Sequence, residues 1–266
     1  MYAFDYQRPS TVSEAATLLA DGSGAKLLAG GQTLIPTMKQ RLASPPLVVD
    51  LRDVAELKGI ERTEDRLVIG AMTTHAQVAE SSVVAAAISG LCKVAESIGD
   101  PHVRNRGTLG GSLANNDPAA DYPAAVLALD ATVHTNKREI AADDFFQGLF
   151  TTALEEDEII TRVSFPIPER FAYAKFPNPA SRYAMVGVAV AKGTQGVRVA
   201  VTGAGQNGVF RATDMEAALA NSFTPDALKG ITVDPSLMNS DIHADAAYRA
   251  HLVTVMARRA VEAAAA

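Results

Sequence analysis

The sequence predicts an α+β protein of two units, and three observations carry that expectation. Strands and helices alternate through the first two-thirds of the 266 residues, a stretch with four prolines (166–180) interrupts them, and β-like segments followed by alanine-rich helices close the chain. In order, Thr11 and Glu14 have capping-box spacing, and Ala15, Leu18 and Leu19 supply the apolar stripe of a first helix. Residues 26–29 read as a short buried strand, and 34–42 as a second helix that admits Pro36 in its first turn. Residues 47–51 and 66–70 are strands, Thr74 and Gln77 cap a short helix, and 83–98 form a longer apolar one. Residues 99–121 are the longest non-periodic stretch before residue 165, and their Asn/Gly content marks them as functional rather than disordered.

Residues 124–129 and 131–135 read as a helix end and a strand, and 158–165 as a strand stopped by Pro166 and Pro168. The segment 166–180 reads as a linker or crossing loop, which places a domain boundary between 166 and 173. Beyond it, 185–191 and 197–202 are β-like, and 214–220 and 246–263 are helical.

Composition narrows the function. A net charge of -6 argues against nucleic acid, whose partners carry a basic face. No run approaches the roughly 18 apolar residues that span a bilayer, and the first residues lack a signal-peptide pattern, so the expected location is the cytoplasm. The single cysteine, Cys92, sits in an apolar helical run and reads as a buried, inert thiol. One thiolate cannot hold an iron–sulfur cluster, which takes about four. Any redox centre here is therefore an organic cofactor or lies on another chain.

Two glycine loops share a design. Ala29, Gly30, Gly31, Gln32, Thr33 and Leu34 form a turn between strand and helix, and Thr108, Gly110, Gly111 and Ser112 form a second Gly-Gly turn. Paired glycines admit close backbone approach and positive φ, and successive N–H groups in such turns make an anion-binding concavity. The hydroxyls of Thr33, Thr108 and Ser112 can donate to phosphate oxygens. Two such loops, with the polar stretch from Asn115 to Asp121, favour a dinucleotide. A third motif, Gly203–Gly208, matches G-x-G-x-x-G, but an extended Val-Phe-Arg follows it where a dinucleotide fold needs a helix. It reads as a hairpin-like turn.

At Ala29-Gly-Gly-Gln-Thr33, Arg104-Asn-Arg-Gly-Thr-Leu-Gly-Gly-Ser112 and Asp117-Pro-Ala-Ala-Asp121 the chain resembles the FAD-binding medium subunits of molybdenum hydroxylases, the family of xanthine dehydrogenase. The resemblance runs over essentially the whole chain, and residues 175–187 look most like carbon monoxide dehydrogenase members. It implies a two-subdomain FAD-binding fold of the PCMH/VAO type over 1–168, divided at about 55, followed by a small α+β domain over 169–266 with an antiparallel sheet and helices. It implies that both glycine loops cradle the FAD pyrophosphate, that Asp121 reaches sugar or ribitol hydroxyls, and that Tyr183 lies close to the isoalloxazine ring. It further implies partners: a large subunit with the molybdenum cofactor and a small subunit with [2Fe-2S] clusters, as a dimer of heterotrimers. Arg182 stands where many relatives have an acidic residue, and Met185 where the xanthine dehydrogenase branch has lysine, which leaves the flavin's tuning and its electron acceptor open.

The expected role is thus electron transfer from a partner's clusters, through FAD, to an external acceptor. The alternative is a stand-alone FAD-dependent oxidase or reductase of similar fold, like the UDP-sugar reductases, although residues after 168 offer no serine–glutamate pair for it. A binding module whose glycine loops are mere turns is the non-enzyme reading. No Ser/His/Asp arrangement supports nucleophilic catalysis on this chain, and Asp241, His243 and Asp245 read as a helix cap rather than a metal site. His102 is a loop residue either near the flavin or exposed. Arg104 and Arg106 either offset phosphate charge or pair with Asp100 and Asp117.

Overall fold

The computed structural model describes residues 1–20 and 24–265. The chain begins with β1 (Asp5–Gln7), α1 (Val12–Ala20), β2 (Lys26–Leu28), α2 (Leu34–Lys39) and β3 (Leu47–Asp50). These strands form a parallel sheet in the order β1-β3-β2. The cap of α1 is shifted from the expected box. Thr11 accepts from the Glu14 amide, but the Glu14 carboxylate turns to the amide and hydroxyl of Ser10.

Next come β4 (Ile60–Arg62), β5 (Arg66–Gly70), α3 (His75–Glu80), α4 (Ser82–Ser97), α5 (Pro101–Arg104), α6 (Leu109–Asn115), α7 (Tyr122–Ala128), β6 (Thr132–Thr135), β7 (Glu139–Ala141), α8 (Ala142–Phe145), β8 (Phe146–Gly148), β9 (Thr151–Thr152) and β10 (Ile160–Pro166). Five of these strands make an antiparallel sheet, β4-β5-β10-β6-β7, and β8 pairs with β9. The Thr74–Gln77 capping box opens α3 as expected. The stretch 99–121 is less irregular than its sequence suggests. Asp100 caps α5 and Thr108 caps α6, so the second glycine pair lies in the first turn of a helix rather than in a turn. Short helices of one or two turns leave too few apolar repeats for a period to show.

The last unit holds β11 (Arg170–Pro177), β12 (Ala184–Gly193), β13 (Gly196–Thr202), β14 (Phe210–Arg211), α9 (Thr213–Asn221) and α10 (Ala246–Ala265), with an antiparallel sheet in that strand order. The expected linker at 166–180 is corrected here, because most of it is the eight-residue strand β11. Its prolines flank the strand or sit at its bulged end, where Pro177 opposes Ala184 and no ladder donor is lost mid-strand. The Gly203–Gly208 motif is the turn between antiparallel strands β13 and β14.

Side-chain size sorts the two faces of this sheet. On β12 and β13, Val186, Val188, Val190, Val199 and Val201 point into the core formed with α9 and α10. Ala189, Ala191 and Ala200 alternate with them and join the core of the preceding unit, where the alanine-rich α7 is buried throughout. Small residues on both sides let helix and sheet approach closely, so the domains share a dry contact. β12 is therefore apolar on both faces, as a doubly covered strand must be.

Candidate functional site

A cavity of about 1000 Å³ opens beside the β2–α2 loop and α6, at the upper end of small-molecule sites. All thirteen residues expected at the site line it: Ala29, Gly30, Gly31, Gln32, Thr33 and Leu34 from the β2–α2 loop, Thr108, Gly110, Gly111, Ser112 and Asn115 from α6 and its cap, then Asp121 and Tyr183.

The two glycine segments touch. A Cβ on Gly30 would lie 2.1 Å from the Arg106 carbonyl oxygen, and one on Gly111 would lie 3.5 Å from Ala29 Cβ. Of the four loop glycines only Gly31 has positive φ (74°). The others are glycine for close approach, so the loops use the first of the two freedoms that paired glycines admit more than the second.

The loops also differ in what they offer a ligand. Among the described residues, the amides of Gly30, Gly31, Gln32, Thr33 and Leu34 meet no protein acceptor. In α6 the first amides are already bonded: Leu109 to Thr73 O (3.0 Å), Gly110 to Ala71 O (2.8 Å), Gly111 to Thr108 Oγ1 (3.1 Å) and Ser112 to Thr108 O (3.0 Å). Free donors for an anion thus lie on the first loop, while α6 contributes side chains. The Thr33 and Ser112 hydroxyls and the Asn115 amide have no partner among the described residues, and Thr108 still has its hydroxyl hydrogen to give.

Asp121 is more engaged than expected. Its carboxylate, almost fully buried, accepts from Tyr173 Oη at 2.5 Å and from Lys175 Nζ at 3.0 and 3.1 Å, and Lys175 also donates to Ser97 O at 2.9 Å. Gly187 makes room for the Tyr173 hydroxyl, since a Cβ there would meet it at 2.1 Å. Burial pushes the Asp121 pKa up, while the Lys175 ammonium and the Tyr173 hydroxyl hold it down. The first role of this carboxylate is to fasten β11 to the start of α7. The loop before it is fastened too: Gly203 N donates to Pro118 O at 2.8 Å, Ala184 N to Ala119 O at 3.3 Å, and Thr202 Oγ1 lies 2.7 Å from Ala120 O. Part of the cavity wall is therefore held by the C-terminal sheet.

Several lining residues carry no sequence motif. His75 follows the Thr74 cap, is 5% exposed, and leaves Nδ1 without a partner. Burial, with the Arg104 guanidinium acting in the same direction, pushes its pKa down to about 4, so it is neutral near pH 7. Residues 154–160 form an acidic wall with Glu155, Glu156 and Glu158. Glu158 accepts from Arg138, Thr135 and the Glu155 amide, and these bonds, Arg138 first, hold its pKa at about 2.

Neither arginine pairing expected of the loop before α6 forms among the described residues. Arg104 donates to Ile98 O and Gly99 O, Asp100 accepts from Val103 N, and Asp117 from Ala119 N. His102 is exposed and outside the cavity lining. Cys92 is half-buried with its thiol toward Val78 O, and burial pushes its pKa up. Among the described residues no three His, Cys, Asp or Glu side chains gather as metal ligands; Asp241 instead accepts from the amides of His243 and Ala244 and pairs with Arg249. No helix among them is long and apolar enough to cross a membrane.

Residues 2–168 match the family model described as FAD binding domain in molybdopterin dehydrogenase, and residues 171–264 match the CO dehydrogenase flavoprotein C-terminal domain. The chain belongs to the FAD-binding medium subunits of the molybdenum hydroxylases. This medium subunit is 35% identical to the carbon monoxide dehydrogenase medium chain of Hydrogenophaga pseudoflava, over 98% of its own length and 96% of the relative's. It is 37% identical to the nicotine 6-hydroxylase medium subunit of Paenarthrobacter nicotinovorans, over 97% and 96%. A solved structure of carbon monoxide dehydrogenase from Hydrogenophaga pseudoflava superposes with a TM-score of 0.89 at 35% identity, covering 99% of this chain and 97% of that one. These relatives are oxidoreductase subunits, and the α+β two-domain expectation agrees with them.

The cavity suits FAD on its own features. It has dinucleotide volume, a loop of free amides for a diphosphate, unpartnered hydroxyls beside it, and glycines whose missing Cβ atoms let the loop pack on the backbone behind it.

Proposed function

We propose that this medium subunit is the electron relay of a heteromeric molybdenum hydroxylase. It takes electrons from [2Fe-2S] clusters on a small partner and passes them to an external acceptor, while a large partner holds the molybdenum cofactor and the substrate. FAD, when bound, supplies the capacity to collect electrons and hand them on. The chain's residues position it: the amides of 30–34 bind the diphosphate with Thr33, Thr108 and Ser112. The acidic wall of Glu155 and Glu156, together with the remaining lone pairs of Asp121, takes hydroxyls rather than phosphates, because carboxylates only accept hydrogen bonds and repel anions.

The observation that carries this reading is the meeting of two glycine segments, 29–34 and 108–112, in one cavity on a chain with a single cysteine. Such a chain cannot hold the clusters that feed its flavin, so they must come from outside. We further propose domains at 1–168, with subdomains meeting near 55, and at 169–266, assembly as a dimer of heterotrimers, and a cytoplasmic location. The relatives' names span carbon monoxide and nicotine, and carbon monoxide is the substrate we favour. Purification from its native source tests the proposal. The expected result is three chains in equal amounts, with molybdenum, iron and FAD; a flavoprotein that turns over alone would favour a stand-alone oxidase or reductase.

A further inference from the structure

The tyrosine at the mouth of the cavity is held by a neighbour that no motif identifies. Asn178 is 2% exposed, and its side chain bonds within its own turn at both ends of the amide. Its Oδ1 accepts from the Ala180 amide at 2.8 Å, which fixes the amide's orientation, and its Nδ2 donates to Tyr183 Oη at 2.8 Å. Its backbone N–H donates to Tyr183 O at 2.9 Å. Between them the chain reverses through Ser181 and Arg182, with φ of 56° and 58°. Left-handed backbone costs a non-glycine residue roughly 1–2 kcal/mol, so two in succession persist only where their surroundings enforce them. The Tyr183 and His243 ring centroids lie 6.5 Å apart, with the planes at 70°. The His243 loop is itself tied down by Asp241, which pairs with Arg249.

The direction of the Asn178 bond matters more than its presence. A phenol oxygen that accepts from an amide keeps its own hydrogen for another partner. Among the described residues Tyr183 Oη has no acceptor for that hydrogen, and Tyr183 lines the cavity. We propose that Asn178 is a positioning residue for Tyr183, aiming the phenol hydrogen into the cavity so that Tyr183 donates a hydrogen bond to the bound flavin cofactor as well as covering it. The inference rests on the FAD reading above. It also gives the exposed Arg182 a structural place, as the second left-handed residue of the reversal that presents the phenol.

The test uses the full chain loaded with FAD, as parent, N178D, Y183F and the double variant. An aspartate keeps the acceptor for Ala180 N but takes the phenol hydrogen itself, so it reverses the bond. N178D and Y183F should each weaken FAD binding about threefold to tenfold, the worth of one hydrogen bond. Fluorescence quenching on titration reads the affinity, and both variants should displace the long-wavelength absorption of bound FAD in the same direction. The double variant should bind no more weakly than Y183F. Unchanged affinity and spectrum in Y183F, a parent-like N178D, or additive losses in the double variant would overturn the inference. Y183F adds no volume and keeps the ring, so it tests the hydroxyl even where N178D melts early. A parent chain that binds no FAD would instead defeat the cofactor reading, a distinct outcome.

Discussion

Replacing Lys175 by methionine would leave the Asp121 carboxylate in the domain seam with only Tyr173 for a partner. Methionine keeps most of the stem's packing, so the change isolates the charge. The carboxylate can escape its loss by taking a proton, and this caps the cost. Protonating an acid of ordinary pKa near 3.9 at pH 7 costs about 4 kcal/mol, at about 1.4 kcal/mol per pH unit. A buried, unpaired Asp121 would have its pKa raised. The penalty is therefore absent below about pH 4, grows as pH rises, and levels off at the new pKa. At about 2 °C per kcal/mol for a chain of this length, K175M should melt roughly 4–8 °C below the parent at pH 7. By the same cap the deficit at pH 5 is about 1.5 kcal/mol, or roughly 3 °C. Calorimetric melts at both pH values, with D121N/K175M recovering most of the loss at pH 7, would support the seam as described. An equal deficit at pH 5 and pH 7, or none at pH 7, would refute the reasoning.

Two further outcomes follow from the site. Gly30→Ala drives a Cβ into the Arg106 carbonyl and should weaken FAD binding at least tenfold, read by equilibrium titration. Gly111→Ala, whose Cβ would meet the Thr108 hydroxyl at 2.9 Å and Ala29 Cβ at an ordinary 3.5 Å, should do less harm, and the reverse order would count against the Gly30–Arg106 contact. His75, with its pKa depressed to about 4, keeps the fold at full stability above about pH 6.5 and weakens it as pH falls toward 4, by about 2 kcal/mol at pH 5. Urea unfolding should show His75→Leu losing correspondingly less than the parent between pH 7 and pH 5; parallel losses would exclude His75 as the cause.

Much of this was legible in the residues. Gly30 and Gly31 between a buried strand and a helix, and the Thr108 hydroxyl before Gly110 and Gly111, were enough to pick out two segments that line the cavity. The bonding of the first two amides of α6 was not legible, because Leu109 and Gly110 donate to Thr73 and Ala71, nearly forty residues earlier in the chain. β11 was hidden by its prolines. Its period-two pattern, Phe171-Ala-Tyr-Ala-Lys-Phe176, was the available signal, placing Tyr173 and Lys175 on one face and Ala174 and Phe176 on the other. Without that strand, the partner of Asp121 could not be seen, and a hydroxyl ligand looked like its first use. His75 and Asn178 carried no signal at all. Each sits beside an ordinary cap or turn, and only tertiary packing brings His75 to the cavity wall and Asn178 behind Tyr183.

FAD is proposed to occupy the cavity between 29–34 and 108–112. Titrating the purified chain with FAD, followed by absorption and quenching of flavin fluorescence, tests this most directly. The prediction is saturation at one FAD per chain, abolished or strongly weakened by Gly30→Ala while the melting profile stays cooperative. A folded chain that takes up no FAD, or binds it equally well with Gly30 replaced, would contradict the central claim.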